Sequence, residues 1–362
     1  MAQLDRRRRY GKMINGTTEE PGHLKFTAQG DCVFTLRIGS GVKTSTLQSV
    51  SYSIDNGVTW VTTNNVDDTE VVITTPTITE GNSVLWKGSG LSMAKTTGLA
   101  NASYFSSTGM FAASGNVMSL LYGDDFEGEL MAKNYAFSSL FYNCTSLTSA
   151  PELPATTLGN YCYNSMFANC TSLTSAPELP ATTLGNYCYQ SMFSNCKSLT
   201  VAPELPATTL GNCCYQSMFS NCKSLTVAPA LPATSLLQSC YSNMFAACTS
   251  LASAPELPAT TLAYYCYNSM FAGCTSLASA PELPATTLVN GCYNNMFSSC
   301  SSLRYVKALF TTVPGTSYTN NWMNGVASSG TRKFVRSTSA TWQNSITRSA
   351  STVPSGWTIA TS

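Results

Sequence analysis

The chain has 362 residues, of which only 10% are charged, and its net charge is +1. That balance argues against a global electrostatic attraction to nucleic acid or to an anionic membrane. No apolar run reaches the ~18–20 residues of a bilayer-spanning helix, so no membrane insertion is expected.

Residues 1–22 read as a polar, aperiodic arm. Its basic run, Arg6, Arg7, Arg8 and Arg9, is succeeded by Asn15-Gly16 and Pro21, without the apolar stretch of a secretory signal. Two readings stand side by side: a disordered tail, and a docking peptide that folds on an acidic partner surface. Four arginines are too small a footprint to support nucleic-acid binding.

Residues 23–92 read as a small all-β, sandwich-like domain. Runs such as Cys32–Ile38, Val50–Ile54, Val71–Thr75 and Ser83–Trp86 alternate or are apolar throughout, and Asp55-Asn56-Gly57 is a hairpin signal. Trp60 and Trp86 are expected in its core. Residues 93–143 are expected to form the N-terminal cap of a repeated segment that begins at Cys144, since Met110-Phe111 and Leu140-Phe141 echo its pattern imperfectly.

Between residues 144 and 303 a block of 26 residues repeats about six times. Cys144, Cys170, Cys196, Cys222, Cys248, Cys274 and Cys300 share this period, and so do the leucines three residues after each. A strict period of this length signals a solenoid. Within one unit, Leu158, Cys162, Tyr163, Met166, Phe167 and Cys170 make an apolar stripe that reads as a short helix. The Leu173–Pro180 half is extended, because Pro177 and Pro180 forbid a helix. Thr182 or Thr183 then serves as the N-cap of the next helix. The expected fold is therefore α+β, a solenoid with one short strand and one short helix per coil. Residues 304–362, with strand-like runs around Trp342 and Trp357, are expected to close the far end.

Of the 15 cysteines, 13 fall in two periodic columns, the 144 series and Cys162, Cys188, Cys214, Cys240, Cys266 and Cys292. Every cysteine in a column has two equivalent neighbours, and helical spacing puts the two columns ~12 Å apart, too far for a bond. The columns read as reduced cysteines acting as small core hydrophobes. Cys-x7-Cys without histidine is not a zinc signature, so no metal is expected.

The repeat, Leu-x-x-x-Cys-Tyr-x-x-Met-Phe-x-x-Cys-x-Ser-Leu-x-x-Ala-Pro-x-Leu-Pro, resembles the BspA-type leucine-rich repeat, in a unit longer than that family's usual one. Tyr52–Trp60 resembles the small β-domain found ahead of such repeats, and Pro354-Ser-Gly-Trp357-Thr resembles their C-terminal cap. The resemblance implies a leucine-rich-repeat solenoid.

Catalysis needs converging acids, bases or nucleophiles. The single histidine, His23, lies outside the repeats, and no phosphate-cradling loop is present, so neither enzyme activity nor a cofactor is expected. The candidate binding residues are periodic. Glu152, Glu178, Glu204, Glu256 and Glu282 form an acidic column broken by Ala230. Tyr161, Tyr187 and Tyr265 occupy a position that varies between copies and are the better candidates for partner contact. The unchanging tyrosines, Tyr163 to Tyr293, read as packing. The expected role is a non-enzymatic recognition protein whose solenoid meets a host-surface or mucosal glycan or protein. The basic arm and the missing signal point to a bacteriophage virion, with the arm docked on capsid or tail and a homo-oligomer allowed. The alternative is a bacterial cell-surface adhesin.

Overall fold

The computed structural model describes residues 22–39, 49–64, 70–89, 103–312, 314–340 and 353–362, with the backbone of residues 13–14 and 17–18. Arg6–Arg9 lie outside the described residues. Met13–Ile14 and Thr17–Thr18 pair antiparallel within the N-terminal arm.

Two sheets build the N-terminal sandwich. The larger has the order Leu147–Ser149, Phe111–Ser114, Leu24–Ala28, Ser83–Ser89, Ser49–Ser53, Val61–Asn64; the smaller joins Val71–Thr74, Phe34–Ile38 and Tyr104–Ser107. Leu24–Ala28 and Phe34–Ile38 alternate buried and half-buried positions, as a strand with one covered face must. The Asn56-Gly57 turn joins Ser49–Ser53 to Val61–Asn64, with φ of 57° and 88° at its two residues. Trp86 is fully buried, whereas Trp60 is half-buried under the Lys87 ammonium, 4.1 Å from its ring centroid.

The solenoid continues this sheet. Phe111–Ser114 pairs antiparallel with Leu24–Ala28 and parallel with Leu147–Ser149 of the first full coil. The cores merge as well: Phe26 meets Phe141 at 5.8 Å, and Phe141 stacks on Phe167 at 5.4 Å. From there Phe167, Phe193, Phe219, Phe245, Phe271 and Phe297 stack at 5.5–5.8 Å. A second column, Tyr163 to Tyr293, stacks at 5.7–6.0 Å. Beyond the repeats, Ser279–Leu283, Tyr305–Ala308, Lys333–Arg336 and Thr358–Thr361 form a parallel four-stranded sheet over the far end.

The coils contain no helix where the sequence pattern places one. Among the described residues the only α-helix is Ser119–Tyr122. The stretch from Gly159 to Cys170 is a string of tight turns, and the fold is a β-solenoid. The N–H groups of Cys162, Asn164, Met166, Ala168 and Cys170 donate to the carbonyl three residues back, at 3.0–3.4 Å. Those of Tyr161, Tyr163, Ser165, Phe167 and Asn169 donate to carbonyls of the next coil, at 2.8–2.9 Å. Alternate residues thus bond within and between coils, so the backbone donors of the ribbon are all satisfied. Every fourth residue, Tyr161, Ser165 and Asn169, has φ of 57°, 54° and 64°. A residue in that region ends one turn and reorients the next, which a continuous helix does not allow. Thr183, expected to cap a helix, lies instead in a short ladder in which Thr157–Leu158 pairs with Thr183–Leu184.

Candidate functional site

The outer surface of a solenoid is a set of columns, one side chain per coil. The acidic column lies on the Pro-Glu-Leu-Pro corner, where Leu153, Leu179, Leu205, Leu257 and Leu283 point inward and all five glutamates outward into solvent. Its ends differ from its middle. At the N-terminal end the backbone of Glu152 bonds to Gly115 and Val117 of the preceding layer, at 2.8 and 3.2 Å. Partial burial there, then the charge of Glu178, raises the Glu152 carboxyl above its ordinary pKa. At the C-terminal end the Lys307 ammonium lies 2.9 Å from the Glu282 carboxylate, in the next rung of the ladder. Between the coils of Glu256 and Glu282 a groove of about 420 Å³ is walled by Pro255, Pro258, Pro281 and Pro284.

The tyrosines divide into two groups. Tyr161 and Tyr187 continue a stack that starts at Tyr135, a residue outside the repeats that the sequence pattern does not single out. The rings lie 4.9 and 4.6 Å apart, with interplanar angles of 4° and 2°. Their faces cover one another, leaving edges and hydroxyls outward. Tyr265 stands apart and is exposed; its ring lies over Gly291 and leaves no room for a side chain there. The chain between Glu178 and Tyr187 passes the buried Ala181 and Leu184 and the exposed Thr182 and Thr183. The acidic and aromatic columns therefore occupy separate faces of the coil and do not converge.

All fifteen cysteines are free and buried. In the 144 series the thiols of Cys170, Cys196, Cys222, Cys248, Cys274 and Cys300 point to the phenylalanine carbonyl of the coil below, at 3.0–3.1 Å. Burial pushes Cys144, Cys196 and Cys300 up to about 12. His23 is held by Asp124 at 2.8 Å and packed between Trp60 and Phe126, at 5.3 and 5.1 Å. Among the described residues no cluster of three or more His, Cys, Asp or Glu side chains is arranged to hold a metal, and no helix is long and apolar enough to cross a membrane.

The family model for the BspA type leucine rich repeat region matches residues 133–226 and 214–321, in 6 copies, which together make up more than half of the chain. The chain belongs to the BspA-type leucine-rich-repeat family. No curated protein and no solved structure matches it. Membership in the BspA-type family places the chain among repeat proteins of the surface-binding, adhesin type. In this member the repeat supplies a rigid set of parallel side-chain columns, the kind of extended surface that solenoids present to partners.

Proposed function

We propose that this chain is a non-enzymatic binding protein attached to a bacteriophage particle as a fibre or decoration protein. Its solenoid recognises a host-surface or mucosal glycan or protein, and its arm docks on capsid or tail through Arg6–Arg9. The observation that carries the binding role is the stack of coils with side chains in fixed register, an extended ridge in place of a catalytic cleft. The basic run Arg6–Arg9, which stands ahead of the sandwich in the sequence, supports the virion assignment. Mass spectrometry of purified particles is the test: the polypeptide is present in intact particles and lost when residues 1–22 are deleted. Its absence from particles overturns the virion role.

Family membership favours a second reading, a bacterial cell-surface adhesin. An adhesin remains at the cell surface when residues 1–22 are deleted, and surface labelling of intact cells detects it there.

A further inference from the structure

The amide side chains of the coil bond largely among themselves, up to one place where the pattern breaks. On the turn ribbon, the side-chain carbonyls of Asn134, Asn160, Asn186 and Asn212 accept the backbone N–H of the next coil, at 2.8–3.1 Å. The file ends there. Gln238 is next in the column, Tyr264 stands where asparagine stood before, and Asn290 follows. The amides of Gln238 and Asn290 are exposed, and neither has a hydrogen-bond partner among the described residues. Two adjacent columns change in the same coils. Leu237 replaces the glycine of Gly159, Gly185 and Gly211, and Tyr265 follows Cys213 and Ser239. Leu237, Tyr264 and Tyr265 are 44, 59 and 40% exposed, and the two tyrosines are the only exposed large aromatic side chains among the described residues. Backbone bonds hold the three coils together here: Ser239 N–H donates to the Tyr264 carbonyl at 2.9 Å, and Tyr265 N–H to that of Asn290 at 3.0 Å.

We propose that Leu237, Tyr264 and Tyr265, flanked by the amides of Gln238 and Asn290, form a binding site for an uncharged pyranose glycan. The proposal deepens the binding role proposed above and rests on it. A pyranose has an apolar C–H face and a rim of hydroxyls. The face needs an open aromatic ring, and the rim needs groups that both donate and accept, as a side-chain amide does. Tyr265 offers such a ring. One side covers Gly291; on the other the column holds only the small Ser239, and no ring stacks on Tyr265 among the described residues. Tyr187, by contrast, is covered by Tyr161. Tyrosine supplies a large, rigid, amphipathic contact at little cost in side-chain freedom. The make-up of the cluster selects the ligand. None of its five residues is charged, so a bound uronate or phosphate would be desolvated with no cation to pair it. Five residues also fall far short of the ~20–30 per side of a stable protein interface, whereas they match the size of one or two sugar units.

Affinity electrophoresis of the full chain through gels containing mannan, galactomannan or xyloglucan tests the assignment. The expected result is retardation by at least one of these neutral polymers relative to a gel without polymer. The variant Tyr264→Asn with Tyr265→Ser carries the residues that Asn186 and Ser239 already supply at the same columns. It should therefore keep the melting midpoint of the parent and bind at least about tenfold more weakly, the scale of losing a central aromatic contact. A second variant, Tyr264→Phe with Tyr265→Phe, keeps the rings and should be retarded as the parent is. Absence of retardation by all three polymers, or unchanged retardation of the Asn/Ser variant, overturns the proposal. So does sedimentation showing a dimer in the parent and a monomer in that variant, since the cluster would then be an interface between copies. Adherence of the labelled chain to host cells or mucus separates this from the broader role. If the Asn/Ser variant adheres as the parent does, the site is wrong and the binding role stands. If the parent does not adhere, the role itself fails.

Discussion

At the scale of single residues, the core is built from groups that are normally reactive or polar and are here held neutral. A buried thiol resists ionisation because the thiolate loses its hydration. With the folded pKa raised, the stabilisation is complete below the unfolded thiol value of ~8.5 and disappears as pH rises through about 12, the value for Cys144, Cys196 and Cys300. The melting midpoint should therefore hold steady from pH 7 to ~8.5 and fall progressively above that, as followed by circular dichroism. The buried tyrosines, also raised by burial, act in the same direction. Iodoacetamide at pH 8 should label none of the repeat cysteines until the chain is denatured; labelling in the native state would contradict their burial. The tyrosine column poses a different question. The hydroxyls of Tyr163, Tyr189, Tyr241 and Tyr293 are buried without a protein partner. An unsatisfied buried hydroxyl costs about 1–3 kcal/mol, so Tyr189→Phe should raise stability by about 1 kcal/mol or more in denaturant titrations. A loss would mean that the hydroxyl is bonded inside the core.

At the scale of the element, the turn ribbon makes a prediction that a helix would reverse. Ser191 has φ of 54°. An L-residue in that region carries a penalty of ~1–2 kcal/mol, and glycine carries none while losing ~0.5–1 kcal/mol in chain entropy. Ser191→Gly should therefore be neutral or stabilising by up to ~1 kcal/mol, whereas in a helix interior the same change destabilises. Ser191→Val should cost ~2 kcal/mol or more, because β-branched residues are genuine outliers at positive φ. Equilibrium unfolding of the two variants decides between ribbon and helix. The repeat length, the inward leucines and the buried aromatic columns were legible in the sequence because each recurs without interruption. The helix was a misreading of period four as 3.6. Leu158, Cys162, Met166 and Cys170 are spaced by fours, and on an α-helix each such step drifts by about 40°, so the stripe would wind off the core. The corrective signal lay in another column: Asn143, Asn169, Asn195, Asn221, Ala247, Gly273, Ser299 and Gly325. Asparagine exchanging with glycine at one position marks a left-handed backbone. The partition of surface columns into spent and unspent hydrogen-bonding groups was not legible, since it depends on which coil each side chain reaches.

At the scale of the whole molecule, the array is a one-dimensional stack closed by the sandwich at one end and by the parallel sheet at the other. Each coil contacts only its neighbours, so stability is a sum of coil and interface terms. Removal of one whole unit should therefore preserve the fold, and removal of half a unit should not. Deleting residues 197–222 joins Cys196 to Lys223-Ser224-Leu225, the same sequence that stood after Cys196 before. Phe193 then faces Phe245 and Tyr189 faces Tyr241, so both aromatic files remain continuous and both end caps keep their partners. The shortened chain should stay monodisperse, with its midpoint lower by a few degrees, on the order of 2–4 °C for each kcal/mol of interface lost. Deleting residues 197–209 instead leaves a coil of half length. It places Leu210 where Lys197 stood and leaves the ribbon's inter-coil donors without carbonyls, and each buried unpaired group costs ~1–3 kcal/mol. That variant should aggregate or lose its cooperative transition in thermal denaturation. If it melted as the whole-unit deletion does, the coils would not be coupled through the backbone ladder, and the extended ridge required for binding would have no rigid support.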